Sequence, residues 1–285
     1  MSKIRKYLLI ILIILWAVVL VPRMCKTRCS IFPKPKLVIA KYIQTAQPIK
    51  IDIADSLPQA FKLLRAREDS EALDIFNKVL LEEPKNQDAL WGKAEVLRRS
   101  RKYAESEKIL KQVLTEDPNY PPALLSLAYI RYKDDALDEA KELVSKALMN
   151  TCDDYEDSGL ACMMLGAINS RRASKSWIFG KIIYGTKIKN YFLKAVKLAP
   201  NLPEAHLGLG TFYINAPRFM GGDLNKGVEE LLIALKLAPK FATVNARLAQ
   251  AYQKSGDQKN YEFYLKRARE LDPDNEVIKE LKENK

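Results

Sequence analysis

Prolines recur along this chain at a spacing of 34 residues, and this spacing limits the folds that the sequence can adopt. Pro84 and Pro118 are 34 residues apart, as are Pro239 and Pro273, and each follows a similar phrase such as FNKVLLEEP or LKRARELDP. A further copy, FLKAVKLAP, ends at Pro200. A period of this length indicates an array of two-helix units, each packed mainly on its neighbours. Proline ends the second helix of a unit, because it cannot continue a helix.

Small and large apolar residues occupy fixed positions within each period. In residues 121–154, the pair Leu127-Ala128 lies in the first half, and Ala140 and Ala147 lie in the second half. Small residues at these positions let paired helices approach closely, and large ones fill the space between them. The pattern resembles the tetratricopeptide repeat, a helix–turn–helix unit of 34 residues. Six copies match it, at residues 53–86, 87–120, 121–154, 155–200, 201–241 and 242–275.

The resemblance implies an all-α fold. We expect a right-handed superhelical solenoid of about six such repeats over residues 53–275, closed by a capping helix that ends at 276–285. The first helix of the first repeat is expected to be poor, since it contains Pro58. The array is also expected to follow an N-terminal membrane helix.

The N-terminal segment differs from the rest of the chain in charge and hydropathy. Ten of the 47 Lys and Arg residues, and no Asp or Glu, lie in residues 1–50. An apolar run from Tyr7 to Val21 follows three of these cations. This arrangement predicts a signal-like membrane anchor over residues 1–25 and a basic, proline-containing linker over 26–52.

We expect the anchor to be retained, because no small-residue cleavage site follows it and no lipoprotein motif precedes Cys25 or Cys29; a cleaved signal is the alternative. The predicted location is therefore a single-pass N-terminal membrane anchor. We expect the soluble part to be exported to a bacterial periplasm, as the signal-like N-terminal region indicates. The Lys and Arg residues flanking the anchor favour the cytoplasmic side instead, which stays the alternative.

The first helices of such repeats line a concave groove in this family. Aromatic and Arg side chains are frequent anchors of protein interfaces. The predicted partner-binding residues are Trp91, Glu95, Arg98, Tyr129, Tyr132, Phe212 and Tyr213. The alternative is that several of them pack between helices of the solenoid. One subgroup of the family binds a peptide carboxylate with Lys and Asn at two fixed positions, and no repeat here has that pair.

Two repeats contain insertions. The first, around residues 170–190, combines six cations with apolar residues. Trp177, Ile178, Phe179 and Lys181 are predicted to contact a membrane or a partner. The alternative is a hairpin or extended helix that packs on the solenoid.

The second insertion contains Gly221, Gly222 and Asp223. It predicts a tight turn with positive φ followed by a helix that Asp223 caps. This phrase is similar to a loop in the T-components of periplasmic TRAP transporters.

Charge distribution and residue types exclude several functions. The net charge of +12 comes mainly from the N-terminal segment, so no nucleic-acid-binding face is expected. The chain has a single His, His206, which we expect to be structural or solvent-facing, and it has no Cys-x-x-Cys pair. Neither catalysis, nor a metal site, nor a cofactor is therefore predicted.

The leading hypothesis is a membrane-tethered scaffold that binds a protein or peptide partner in its groove. Alternatives are a periplasmic accessory component of a solute transporter and an organelle-surface receptor for precursor proteins. Homo-oligomerisation is left open.

Overall fold

The computed structural model describes residues 52–151 and 155–283, with only the backbone described at 178–183, 186 and 283. These residues form 13 α-helices and a short 3-10 helix at Arg218–Met220, with no strand among them. The helices are α1 (Ile53–Arg65), α2 (Asp69–Glu82), α3 (Gln87–Arg99), α4 (Tyr103–Glu116), α5 (Pro121–Lys133), α6 (Leu137–Met149), α7 (Tyr155–Lys175), α8 (Ile178–Leu198), α9 (Pro203–Asn215), α10 (Leu224–Leu237), α11 (Ala242–Ser255), α12 (Gln258–Leu271) and α13 (Glu276–Glu283).

The helices pack as six successive antiparallel pairs, α1–α2 through α11–α12, with α13 against the last pair. The first helix of each pair also contacts the first helix of the next pair, whereas the second helices make no comparable contact in the described residues. The first helices α1, α3, α5, α7, α9 and α11 therefore lie on the inner, concave side of the array.

Small residues allow the helices of each pair to cross closely, as the sequence pattern predicts. Ala140, Ala147, Ala234 and Ala268 have no exposed surface. At Ser106 the corresponding site holds a hydroxyl, which is also fully buried and donates a hydrogen bond of 2.7 Å to the carbonyl oxygen of Ala94. The serine is tolerated because its polar atom has a partner.

The first helix of the array forms although it contains a proline. In α1 the side chain of Asp52 accepts a hydrogen bond from the backbone N–H of Ala54 and caps the helix. Pro58 removes one backbone hydrogen bond from the interior of the helix. Burial of Ala60 and Leu64 in one apolar cluster with the residues of α2 and α3 offsets this loss. The expectation of a poor first helix underestimated this packing.

The fourth pair is longer than the others. Helices α7 and α8 have 21 residues each, while the other paired helices have 13 or 14. The first insertion is therefore accommodated as about two additional turns on each helix. Phe192 of α8 lies between Gly166 of α7 and Gly208 of α9, and a Cβ atom added to either glycine would lie 2.6 Å from the Phe192 ring. These glycines let three helices meet around one aromatic ring.

The predicted membrane location is contradicted by the structure. No helix in residues 52–151 or 155–283 is long and apolar enough to cross a bilayer. The predicted anchor at 1–25 and most of the linker lie outside the described residues.

Candidate protein-binding groove

The structure places the seven predicted groove residues on three inner helices. Trp91, Glu95 and Arg98 lie on α3, Tyr129 and Tyr132 on α5, and Phe212 and Tyr213 on α9. Three of them, Glu95, Phe212 and Tyr213, are buried, and the other four are partly buried. The two members on α9 thus belong mainly to the core, and the α3–α5 segment offers the accessible part of the surface.

A buried carboxylate organises the α3 part of the groove. Glu95 accepts hydrogen bonds from Nε of Arg98 at 2.8 Å and from Nε of Arg99 at 3.0 Å. The Ser126 hydroxyl of α5 donates to the same carboxylate at 3.0 Å and accepts a bond of 3.1 Å from Nε1 of Trp91. Burial alone would raise the pKa of Glu95, but Arg98, Arg99 and the more distant Arg67 lower it to about 2. The carboxylate is therefore ionised and fixes the positions of these side chains.

Cations lie over the aromatic faces of the groove. The guanidinium carbon of Arg98 lies 4.0 Å from the centre of the Tyr129 ring, and that of Arg171 lies 4.9 Å from the centre of the Tyr132 ring. The two tyrosine rings are 6.3 Å apart. Such stacking stabilises a cation next to an aromatic face. We call Arg98, Tyr129, Tyr132 and Arg171 the stacked row.

The tyrosines of the stacked row can contact another molecule. One face of each ring is covered by a cation, and both tyrosines are only partly buried, so each keeps part of its surface available to another molecule. A tyrosine presents a large apolar area and one polar atom, with few rotatable bonds to immobilise. This combination suits recognition of a polypeptide segment.

The buried aromatic pair on α9 is arranged in a related way. The rings of Phe212 and Tyr213 are 5.8 Å apart, and Nζ of Lys189 lies 5.6 Å from the centre of the Tyr213 ring. Sequence reasoning did not single out Lys189 or Ser126 as groove residues. Lys189 comes from the second helix of the long fourth pair, so the repeat register gave no signal for it.

The first insertion makes contacts within the array. Arg172 pairs with Asp138, and Lys175 pairs with Asp135, both in the third repeat. Part of the basic character that the sequence shows here is therefore neutralised by neighbouring carboxylates. Trp177 lies at the start of α8 and is 82% exposed. The side chains of the other three predicted contact residues, Ile178, Phe179 and Lys181, lie outside the described part of the structure.

The predicted turn in the second insertion is confirmed. Gly221 has φ = +93°, which an L side chain rarely adopts. Asp223 caps α10, and its side chain accepts hydrogen bonds from the backbone N–H groups of Asn225 at 3.1 Å and Lys226 at 3.2 Å.

His206 is held by hydrogen bonds on both sides of its ring. Nδ1 lies 2.6 Å from a carboxylate oxygen of Glu230, and Nε2 lies 2.9 Å from the carbonyl oxygen of Pro200. Since both neighbours are acceptors, the protonated ring satisfies both contacts. Burial lowers the pKa of His206, but the bonds to Glu230 and Pro200 outweigh it and raise the pKa above its usual value of 6.5. These two contacts fix the ring between α9 and α10.

We expect this histidine to make the fold less stable as pH rises. A group whose pKa is raised in the folded state contributes stability below its unfolded pKa, near 6.5, and loses it as pH rises through the higher folded pKa. Melting temperatures of the wild type measured from pH 5.5 to 8.5 should fall across this window. The variant His206→Gln should show a flatter profile, and an equally steep profile in that variant would exclude His206 as the origin.

Among residues 52–151 and 155–283, no three His, Cys, Asp or Glu side chains come together as ligands.

Family models identify the type of repeat. Models described as tetratricopeptide repeat match residues 97–157 and 242–275. Both segments carry tetratricopeptide repeats. No curated protein sequence matches the chain significantly.

Two solved structures with TM-scores above 0.5 share this fold. TTC0263 of Thermus thermophilus, described as a thermophilic tetratricopeptide repeat protein, is 19% identical with a TM-score of 0.53, over 68% of this chain and 95% of that one. Human IFIT1, solved as a dimer with PPP-AAAA, is 17% identical with a TM-score of 0.57, over 86% of this chain and 56% of that one. PilF of Pseudomonas aeruginosa is 15% identical with a TM-score of 0.45, over 81% of this chain and 97% of that one. These matches give no support to the resemblance with TRAP T-components or to the two alternative functions.

Proposed function

We propose that this tetratricopeptide-repeat protein is a scaffold that binds a segment of a partner protein in its concave groove. The observation that carries the proposal is the stacked row, in which two tyrosines and two arginines lie side by side on inner helices. Tyrosine and arginine are the residue types enriched among the dominant contacts of protein interfaces. Proteins built from these repeats commonly bind protein or peptide partners, which is consistent with this use of the groove.

The organisation of the groove supports binding over catalysis. Glu95 is ionised and already bound to Arg98, Arg99 and Ser126, so it is poorly placed to act as a general base. His206 is likewise engaged on both ring nitrogens. These polar groups position side chains, and a preorganised surface of this kind reduces the entropy lost when a partner is bound.

A photo-crosslinking experiment identifies the partner. A photoreactive phenylalanine analogue replaces Tyr132 in the full chain, and the same analogue replaces Tyr155 in a control. Tyr155 lies at the start of α7 and is 70% exposed. We expect a specific crosslinked protein from position 132 and none, or a different set, from position 155. The same crosslinked products from both positions would contradict groove binding.

Truncating the stacked row should then weaken binding of that partner. The variant Tyr129→Ala/Tyr132→Ala removes two ring edges and the faces on which Arg98 and Arg171 lie. Each dominant interface residue contributes about 2 kcal/mol or more, so we expect the dissociation constant to rise by at least about 30-fold. Titration calorimetry with the purified partner measures the change.

Tyr155→Ala is the matched control for that titration and should bind as the wild type does. Circular dichroism melting of each variant separates lost binding from unfolding. Unchanged affinity in a folded double variant would refute the role of the stacked row.

A further inference from the structure

The two halves of the array are joined by charged side chains. In the first repeat, Arg65 pairs with Glu156 at 2.9 Å, and Arg67 pairs with Glu204. The guanidinium carbon of Arg67 also lies 3.8 Å from the centre of the Phe241 ring. Each partner is at least 91 positions further along the chain, in the fourth or fifth repeat.

Three more ion pairs also join the first three repeats to the later part of the array. Glu68 pairs with Lys240, Arg101 pairs with Asp272 at 2.6 Å, and Lys133 pairs with Glu276. Together the five pairs connect the ends of α1, α3 and α5 with the entries to α7, α9, α11 and α13. We call these ten residues the ionic clasp: Arg65–Glu156, Arg67–Glu204, Glu68–Lys240, Arg101–Asp272 and Lys133–Glu276.

The clasp connects helix ends of opposite polarity. The cations Arg65 and Lys133 are the last residues of α1 and α5, while Glu156, Glu204 and Glu276 lie in the first turns of α7, α9 and α13. Cations are favoured at helix C-termini and carboxylates at N-termini. In Arg65–Glu156 and Lys133–Glu276, each side therefore carries the charge that its own helix end stabilises. The pair Glu68–Lys240 has the reverse arrangement, with the carboxylate on the side of the first repeats.

Long side chains make these connections across a gap between the helices themselves. Extensive helix contacts in the described residues occur between consecutive helices or between inner helices of adjacent pairs, and none joins α1 or α3 to α9, α11 or α13. The pairs Arg101–Asp272, Lys240–Glu68 and Arg65–Glu156 are partly or largely exposed. Exposed ion pairs are screened by salt, so these three pairs are sensitive to ionic strength. The Arg67–Glu204 pair, whose side chains are 12% and 20% exposed, is screened less.

Two arginines of the clasp have a left-handed backbone conformation, which is unfavourable for residues with a side chain. Arg67 and Arg101 have φ of 64° and 61° in the turns after α1 and α3. The equivalent turn after α11 has Gly256 with φ = +77°. Glycine adopts this conformation without steric cost, whereas arginine does not. Both arginine side chains reach across to the other half of the array. Asp135, in the turn after α5, has the same conformation with φ of 64° and pairs instead with Lys175 of the next repeat.

We propose that the ionic clasp holds the repeat array closed and that its opening controls entry to the groove. Lys133, a member of the clasp, ends the same helix that carries Tyr129 and Tyr132. Opening the clasp would separate the two halves of the array on either side of the stacked row. Closure of the array does not depend on the proposed function, whereas control of entry does, because it assumes that a partner binds in the groove.

Small-angle X-ray scattering of the full chain tests closure. The variant Glu68→Lys/Arg101→Glu places like charges against Lys240 and Asp272 without changing the net charge, and we expect a larger radius of gyration than in the wild type. Adding Lys240→Glu and Asp272→Arg restores both pairs in reverse and should restore the wild-type radius. Raising salt to 1 M, where the Debye length is about 3 Å, should expand the wild type towards the open variant.

Two further variants are controls for misfolding and for general effects of charge. Arg101→Gly removes one clasp side chain and relieves the turn, so it should fold and expand the array in part. Lys85→Glu/Glu105→Lys has no net charge change and disrupts the 3.3 Å pair of Lys85 with Glu116 between adjacent repeats. This control should keep the wild-type radius. Wild-type dimensions in both Glu68→Lys/Arg101→Glu and Arg101→Gly at low salt would overturn the clasp.

The association rate of the crosslinked partner tests control of entry. We expect faster association with Glu68→Lys/Arg101→Glu than with the wild type, and a return to the wild-type rate in the quadruple charge-swapped variant. An expanded array with an unchanged rate would overturn control of entry. That result would leave closure and the effect of Tyr129→Ala/Tyr132→Ala standing, so its failure is distinguishable from failure of groove binding.

Discussion

Replacing Glu95 with Gln is expected to lower the free energy of unfolding by about 3 kcal/mol, because it leaves the buried Arg98 without its anionic partner and leaves Arg99 with Asp69 alone. Arg98 and Arg99 are only 14% and 13% exposed at their side chains and both contact this carboxylate. Chemical denaturation of the wild type and Glu95→Gln measures the difference. The control Glu105→Gln removes an exposed carboxylate from α4 and should change stability little.

Acid should reveal the same interaction. The pKa of Glu95 is lowered from 4.5 to about 2, so its stabilising contribution is present above pH 4.5 and is lost as pH falls through this range. Glu95→Gln should therefore lose less stability than the wild type between pH 5 and pH 2.5. Equal stability of the two proteins at pH 7 would show that Arg98 and Arg99 find other partners, and would contradict the organising role assigned to Glu95.

Replacing Phe192 with Ala should cost about 3 to 5 kcal/mol, which is typical of truncating a large aromatic side chain in a core. The ring is 5% exposed and lies against Gly166 and Gly208, which have no side chains to fill the resulting cavity. Thermal and urea unfolding measure the loss. The adjacent Leu193 is 41% exposed, so Leu193→Ala is a matched control with a small expected effect.

A loss of stability below about 1 kcal/mol in Phe192→Ala would contradict this packing, because it would show that α7, α8 and α9 pack together without the ring.

The two glycines also show which part of this packing could be predicted directly from the sequence. The Leu-Gly pairs at 165–166 and 207–208 mark positions where a small residue is needed. The identity of the ring that occupies this space depends on the lengths of α7 and α8.

The repeat pattern predicted the helical array well because each helix pair is specified by local residues. Proline, the small residues at helix crossings and the large residues between them all recur with one period. Pro58 is the instructive exception, because a local rule argued against α1 while burial of Ala60 and Leu64 favours it. Packing with neighbouring helices can outweigh a single unfavourable residue.

The ionic clasp was not predictable from the same pattern. Its pairs join positions 91 to 172 residues apart, so they depend on curvature accumulated over several repeats. Likewise, the register placed Phe212 and Tyr213 on a groove-facing helix but did not show that both are buried. Sequence periodicity specifies which face of a helix a residue occupies, whereas burial also depends on which elements later cover that face.

Hydrogen exchange of the full chain, with and without its crosslinked partner, tests groove binding most directly. We expect the partner to slow amide exchange mainly on the inner helices α3, α5 and α7, which carry the stacked row. The outer helices α4 and α6 serve as internal controls and should change little. Slowed exchange confined to α4 and α6, with α3, α5 and α7 unchanged, would place the partner on the convex surface and contradict the account.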